Sequence, residues 1–272
     1  MTIEDIEITH PDKVLFPQAG ITKGDVARYY ARISDYMLPF LKDRPVTLQR
    51  FPHGIDKPGF FQKHVQDYFP EFIERIRVKT REGHANEILV NNKKSLIYLA
   101  NQLAITFHIW LSRKGSLEYP DKLIFDLDPS DTDFGKLRKG AGLLKDQLEC
   151  TGYQPRLMTT GKKGLHIYAY IEPVKDFEQV RKEARELARK LADGHPELFT
   201  LEIRKNKRGN KIYVDIQRNA YGQTGVCPFS LRPIPTAGIA TPLEWHELYK
   251  IASGDQYHYG NIFRRLGALD NQ

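Results

Sequence analysis

Cysteine is almost missing from this chain. Cys150 and Cys227 are the only two among 272 residues, and they form no Cys-x-x-Cys pair. That usage argues against a disulfide framework or a structural zinc site, so no zinc is expected, and it fits a reducing compartment. Long apolar runs are missing too. None approaches the ~20 residues a membrane span needs, and the polar, acidic N-terminus does not resemble a signal peptide. The expectation is a cytoplasmic chain with no membrane partner. Repeats, low-complexity tracts and long linkers are equally lacking. What is present is an ordinary globular composition, 40% hydrophobic and 28% charged, with 41 Lys+Arg against 34 Asp+Glu and a net charge of +7. A basic surplus with 11% aromatic residues suits a polyanionic partner, although charge alone does not decide it.

The informative stretch is Leu123-Ile-Phe-Asp-Leu-Asp-Pro-Ser130. Residues i and i+2 of a strand share a face, about 6.6 Å apart. Asp126 and Asp128 therefore lie together, with Phe125 and Leu127 on the opposite face. Two adjacent carboxylates repel each other and call for a cation. Taken alone, Asp-x-Asp is as well explained by a strand sliding into an acidic turn.

Other segments add to it. Residues Ile3 to Ile8 suggest a short strand. Thr22 opens a helix with Asp25 at the capping-box position, and Val26, Tyr30, Ile33 and Met37 form its apolar stripe until Pro39 and the Lys42-Asp-Arg-Pro45 segment end it. Val46 to Phe51 reads as a strand. In Gly59-Phe-Phe-Gln-Lys-His64, Phe60 and Phe61 cannot both face one core if extended. They form either a plug under a loop or a stacking platform for bases, with Arg50, Lys63 and His64 supplying charge. Thr80 to Glu87 reads as a polar loop before a short strand at Ile88. A helix over Ser95 to Ala104 precedes a strand over Thr106 to Ser112 that carries His108.

From Leu123 the pattern is strand, helix, strand, strand, helix, strand. The helices carry Phe134, Leu137, Ala141, Leu144 and Leu148, and then Phe177, Val180, Ala184, Leu187 and Leu191. Strands are expected over Gln154 to Thr159, Leu165 to Ile171, Thr200 to Arg204 and Ile212 to Ile216, the last two joined by a basic hairpin. Pro242 to Ile251 and Asn261 to Leu269 suggest short helices. The order is the split β-α-β arrangement of RRM-like folds, whose first strand is central between the third and last. The expected fold class is α/β (α+β): an RRM-like βαββαβ catalytic part over 116–272, elaborated by an N-terminal α/β part over 1–115, in one domain. The topology should bring Asp126, Asp128, His166 and Asp215 to one face.

Three carboxylates on adjacent strands suit two divalent ions and in-line displacement at phosphorus. Thr159-Thr-Gly-Lys-Lys-Gly-Leu-His166 supplies the complement. Gly161 lets backbone approach an anion, Thr160 offers a hydroxyl, Lys163 a point charge and His166 a ring donor. Arg232 in Ser230-Leu-Arg is a further triphosphate candidate.

Phe-Asp126-Leu-Asp128-Pro, Thr160-Gly-Lys-Lys-Gly-Leu-His166 and Val-Asp215-Ile-Gln-Arg-Asn resemble the three motifs of the archaeo-eukaryotic primase superfamily. Gly20-Ile-Thr-Lys-Gly-Asp25, Arg44-Pro-Val-Thr-Leu, Gly59-Phe-Phe-Gln-Lys-His, Phe107-His-Ile-Trp and Ala240-Thr-Pro-Leu-Glu-Trp245 narrow the resemblance to the polymerase module of ligase D of prokaryotic non-homologous end joining. It covers essentially the whole chain. It implies a nucleotidyltransferase that fills gaps and extends bridged double-strand breaks, preferring ribonucleotides over deoxynucleotides. Asp126, Asp128 and Asp215 would bind two divalent ions, commonly manganese, with magnesium the alternative. Arg208 would position the catalytic centre. Thr160, Gly161, Lys163, His166, His108 and Arg232 would hold the NTP or dNTP. Lys13 and Lys23 would take a downstream 5′-phosphate, and Phe60, Phe61, Lys63 and Arg50 would contact DNA. The loop around Thr80 to Asn92 would align two ends. The resemblance also implies a stand-alone form working with a separate ligase and Ku, a DNA-dependent homodimer across a break, and a place at the nucleoid during repair. Thr160 departs from the usual serine but keeps the hydroxyl. Two other readings stand beside this one: a two-metal nuclease using the same carboxylates, and a non-catalytic DNA-end-binding module.

Overall fold

Glu4 and Asp5 take left-handed φ angles of 47° and 60° in the computed structural model, which describes residues 1–269. Two consecutive left-handed residues make the tight turn that joins antiparallel strands. They fold the start of the chain into β1 (Thr2–Ile3) and β2 (Ile6–Glu7). The single strand expected over Ile3 to Ile8 is thus broken at its acidic centre. β3 (Val14–Phe16) and β4 (Ile21–Thr22) lead into α1 (Lys23–Leu41). Its capping box is formed as expected, with Asp25 N–H donating to Thr22 Oγ1 and Thr22 N–H to Asp25 Oδ2. Pro39 lies inside the helix, which ends at Leu41 where the Lys42-Asp-Arg-Pro45 segment begins. In the last turn a proline forfeits one backbone bond, and burial of Met37 and Leu41 offsets that loss.

β5 (Pro45–Arg50), β6 (Phe60–Gln62), β7 (Arg75–Thr80), β8 (Gly83–Leu89), α2 (Lys93–Asn101) and β9 (Ala104–Trp110) follow. The loop expected over Thr80 to Glu87 is corrected: β7 and β8 form one hairpin, in register from Thr80↔Gly83 to Arg75↔Ile88. His84, Ala85 and Asn86 have weak strand preference on their own, and the β7 ladder supplies it.

β10 (Lys122–Pro129), α3 (Phe134–Cys150), β11 (Arg156–Thr159), β12 (Leu165–Tyr170), α4 (Phe177–Gly194), β13 (Phe199–Thr200) and β14 (Ile212–Asp215) come next, then β15 (Thr224–Val226), β16 (Pro242–Leu243) and α5 (Ile262–Leu269). The chain divides into two units. One holds residues 1–115, 224–240 and the stretch from Tyr257, and the other holds residues 116–223 and 241–256.

Within the first unit the sheet order is β15-β9-β5-β8-β7, with β6 also on β5. Its core gathers Tyr30, Ile33 and Met37 of α1 with Leu96 and Leu99 of α2, Val46 and Leu48 of β5, and Phe107 of β9. Within the second unit the order is β13-β14-β10-β12-β11-β16. β10 is central, between β12 and β14, as the motif order predicts. Leu123, Phe125 and Leu127 of β10 are buried on the face opposite the aspartates. That is the face that alternation assigns to the α3 and α4 side.

Two expectations here are corrected. The strand over Thr200 to Arg204 is only Phe199–Thr200, and it pairs parallel to β14, so no basic hairpin joins them. The connection curls inward because the Arg208 guanidinium donates to the carbonyls of Glu202 and Ile203. The helix expected over Pro242 to Ile251 is the short strand β16 followed by a 3₁₀ turn at Trp245–Tyr249, since Pro242 and Leu243 find free edge groups on β11. Among the described residues no helix is long and apolar enough to cross a membrane.

Candidate active site

Strand register builds a row of side chains in the second unit. Asp126 on β10 stands directly opposite Asp215 on β14 and His166 on β12. Residues paired across antiparallel strands point the same way, with Cβ atoms about 5 Å apart. Asp128, two residues along β10, shares their face and stands opposite Tyr213. The sequence-predicted convergence of Asp126, Asp128, His166 and Asp215 is thus present within one sheet. Asn219 ties the backbone of β10 at Ile124 to the chain just after β14. Its amide accepts from Ile124 N–H at 2.9 Å and donates to the carbonyls of Ile124 and Ile216.

Each carboxylate has a protein donor. His166 Nε2 lies 3.4 Å from Asp126 Oδ2. Arg208 Nη1 donates to Asp128 Oδ2 at 3.1 Å, and its guanidinium stacks 3.9 Å from the Tyr213 ring centre. Asp215 Oδ1 accepts from Gln217 N–H at 2.8 Å. Among the described residues, no three His, Cys, Asp or Glu side chains are gathered tightly enough to hold a metal ion. The donor set still fits divalent metals by its chemistry: three hard carboxylates on adjacent strands of one face, with no thiolate among them. Their side chains are turned toward cationic and amide partners that occupy the same lone pairs.

The glycine turn follows β11. The Thr160 hydroxyl accepts from Gly164 N–H at 3.2 Å and donates to Gly164 O at 3.1 Å, so it closes the turn. Gly161 takes a φ of 68°, which favours glycine. Gly164 is needed for a different reason: a Cβ there would lie 2.6 Å from Leu127 O. Close approach of the turn to β10 requires that space. Lys163 is exposed and makes no hydrogen bond or ion pair with described residues. His166 is buried, and its Nδ1 has no hydrogen-bond partner among the described residues.

The remaining predicted residues belong to the first unit. Phe60 and Phe61 are 46% and 61% exposed, which removes the buried-plug alternative. Phe61 meets the His108 ring edge-on at 5.8 Å. Arg50 is held by several protein partners. Its Nε donates to Gln102 O at 2.6 Å, its Nη1 to Gln62 Oε1 at 2.6 Å and Tyr68 Oη at 3.1 Å, and it lies over the Phe60 ring. Lys63 is exposed and has no ion pair among described residues. Arg232 is half-buried, its backbone N–H donating to Gly238 O.

Lys13 and Lys23 line one cavity of about 610 Å³ together with Thr9, His10, Asp12, Asn101, Gln102 and Leu103. Lys23 is buried and donates to Thr9 Oγ1 at 2.8 Å. Burial, aided by the neighbouring Lys13 charge, lowers its pKa from 10.5 to about 8. Sequence reasoning found the two lysines but missed His10, Asn101 and Gln102. Those come from distant segments that carry no motif.

Comparisons with known proteins agree on one family. The family described as the LigD primase-polymerase domain matches residues 22–272. A bifunctional non-homologous end joining protein LigD of Bacillus subtilis is 35% identical over 245 residues, 89% of this chain and 39% of that protein. The multifunctional LigD of Mycobacterium tuberculosis H37Rv is 31% identical over 270 residues, 96% of this chain and 35% of that protein. The chain thus spans somewhat over a third of the length of these relatives. A solved polymerase domain from Mycobacterium tuberculosis ligase D in complex with DNA superposes with a TM-score of 0.90 at 30% identity. That match covers 97% of this chain and 94% of the solved one.

Proposed function

The chain belongs to the LigD primase-polymerase domain family, and from that premise we propose that it extends DNA ends and fills gaps as a template-directed nucleotidyltransferase. The observation that carries this reading is the cross-strand row Asp215–Asp126–His166, with Asp128 on the same face. Asp126, Asp128 and Asp215 would hold two divalent ions. When bound, such ions neutralise the triphosphate and lower the pKa of the attacking 3′-hydroxyl.

The chain's own groups do the rest. Lys163, unpaired and exposed at the glycine turn, offers its charge to the phosphates. Closure of the turn by Thr160 aims that loop, so this hydroxyl acts by shaping it. His166 Nε2 can give its contact with Asp126 to a phosphate oxygen. Arg208 touches no substrate in this scheme. It positions Asp128 and balances its charge.

In the first unit, exposed Phe60 and Phe61 offer π faces to template bases. The Lys13–Lys23 cavity suits a terminal phosphate dianion, since both lysines line it and Lys23 is already held there by Thr9. Ribonucleotide preference belongs to the same proposal, as does the recruitment of a ligase and Ku.

One assay tests the whole reading. A gapped duplex with a downstream 5′-phosphate is supplied with Mn²⁺ and either ribo- or deoxynucleotides. Templated primer extension is the expected result. Primer shortening would replace this proposal with a nuclease, and a mobility shift alone would replace it with a binding module.

A further inference from the structure

Gly254 is buried, and its φ is not left-handed, so backbone conformation does not require glycine there. Space does. A Cβ on Gly254 would lie 2.7 Å from both the Lys162 carbonyl oxygen and the Lys163 carbonyl carbon, and 2.9 Å from the Lys163 oxygen. All three are backbone atoms, which cannot swing aside as the end of a side chain can. Lys162 and Lys163 are the middle of the glycine turn, and Gly164 brings the same turn against Leu127 O of β10. Two close backbone approaches therefore hold the turn, one beside the aspartates and one at residue 254, both within the second unit. The segment that carries Gly254 is itself fixed. Thr159 and Thr241 exchange backbone hydrogen bonds at 2.9 and 3.2 Å just before the turn begins, and Leu248 and Ile251 are buried. Residues 253–256 then make a tight turn. Gln256 N–H donates to Ser253 O at 3.3 Å, and Gln256 Oε1 accepts from Ala252 N–H at 3.2 Å.

We infer that Gly254 is a positioning residue for nucleotide binding: by admitting the backbone of Lys162 and Lys163 into contact, it fixes where the Lys163 side chain starts and so where its ammonium meets the phosphates. The inference rests on the proposed nucleotidyltransferase function and gives a part in it to a residue that belongs to no motif. The Lys163 side chain is exposed and unpaired, so its backbone is the part that can be held before a nucleotide arrives. A long flexible side chain gives up less on binding when its backbone is already in place. A methyl group at position 254 would need about 0.8 Å more room to reach ordinary contact distance. The anchored loop leaves the glycine turn to move. A displacement of that size in a binding group costs roughly 10- to 100-fold. The competing account is that Gly254 serves packing alone, which predicts lost stability with nucleotide binding unchanged.

The test uses the full chain, unchanged and as G254A, K163A and G254A/K163A. KM and kcat for the nucleotide are measured on a gapped duplex with Mn²⁺, and stability by urea unfolding. G254A should raise KM roughly 10- to 100-fold with kcat nearly unchanged, the pattern of lost ground-state binding. In the double variant KM should rise no further than in K163A alone, because moving a turn that no longer carries the amine costs nothing more. A G254A protein that loses stability but keeps its KM would assign the glycine to packing and overturn the inference. KM increases that multiply in the double variant would overturn it too, since residue 254 would then act by a route other than Lys163. Should G254A fail to fold, Q256A takes its place. It releases Ala252 N–H and loosens the loop without adding a Cβ, so KM should rise in the same direction, and an unchanged KM would overturn the inference. If the unchanged protein fails to extend the duplex, the proposed function itself falls, which is a different outcome.

Discussion

Replacing Lys23 by methionine should make the protein more stable at pH 7 while weakening its hold on a 5′-phosphate. Lys23 titrates near 8 rather than 10.5, chiefly because it is buried and secondly because Lys13 is close. At ~1.4 kcal/mol per pKa unit, keeping the ammonium charged in the empty cavity costs about 3 kcal/mol. Methionine removes that cost and also the bond to Thr9 Oγ1, about 1.5–2 kcal/mol for a charged donor. A net gain of roughly 1–2 kcal/mol remains. For a cation with a depressed folded-state pKa, the penalty is present in full below pH 8. It fades between pH 8 and 10.5, where the unfolded chain still binds the proton and the folded chain has released it. Stability contributed by this group therefore rises with pH across that window, and the advantage of the variant should shrink across it. Binding runs the other way. A phosphate dianion needs the charged amine, so preference for phosphorylated over hydroxyl gaps should fall about tenfold between pH 7 and pH 9. The assays are urea unfolding and gap-binding titrations at matched pH values. A K23M protein less stable than its parent at pH 7, or a phosphate preference flat from pH 7 to 9, would refute the reasoning.

D128N should abolish templated extension while leaving DNA affinity within a few fold, because the amide keeps an oxygen for Arg208 and loses only the charge. Primer-extension gels and anisotropy check both halves. G164A should cost about 1–3 kcal/mol in unfolding free energy, since the new Cβ meets the Leu127 carbonyl at 2.6 Å, and extension should drop with it. R50M should lower stability and the gain from base stacking at Phe60, yet leave the salt dependence of DNA binding unchanged. A reduced salt slope in R50M would mean that its guanidinium reaches phosphate despite its bonds to Gln62, Tyr68 and the Gln102 carbonyl.

The carboxylate row was legible from sequence for a definite reason. Strand alternation places Asp126 and Asp128 on one face, and the split β-α-β order then puts β14 and β12 on either side of them. Both rules are local or topological and need no side-chain packing. Thr22 and Asp25 were legible in the same way, through the capping box. The cavity lined by Lys13 and Lys23 was not. Its walls come from Thr9–Lys13, from Lys23 and from Asn101–Leu103, and only folding makes those neighbours. The β7–β8 hairpin was hidden because half of it, from His84 to Glu87, has strand character only when paired. Thr160 was identified by its motif, and its hydroxyl also closes the turn that carries it.

The row also raises a physical problem that Arg208 resolves. Asp126, Asp128 and Asp215 repel one another, and with no cation between them a rigid arrangement would be costly. The side chains avoid that cost by dividing their partners among His166, Arg208 and the Gln217 backbone. Arg208 differs from the other two in how it is held. Its contacts with the Glu202 carbonyl, the Ile203 carbonyl and the Tyr213 ring do not depend on Asp128. Were Asp128 to turn toward a divalent ion, as the proposed function requires, the guanidinium would give up one of these four interactions and keep the other three. The inward curl of residues 201–211, which replaced the expected hairpin, is what makes this possible. A solvent-exposed arginine on a hairpin would follow the carboxylate or drift away. A buried one stays as a fixed counter-charge, so the carboxylate face would keep a cation beside Asp128 whether or not a divalent ion were bound.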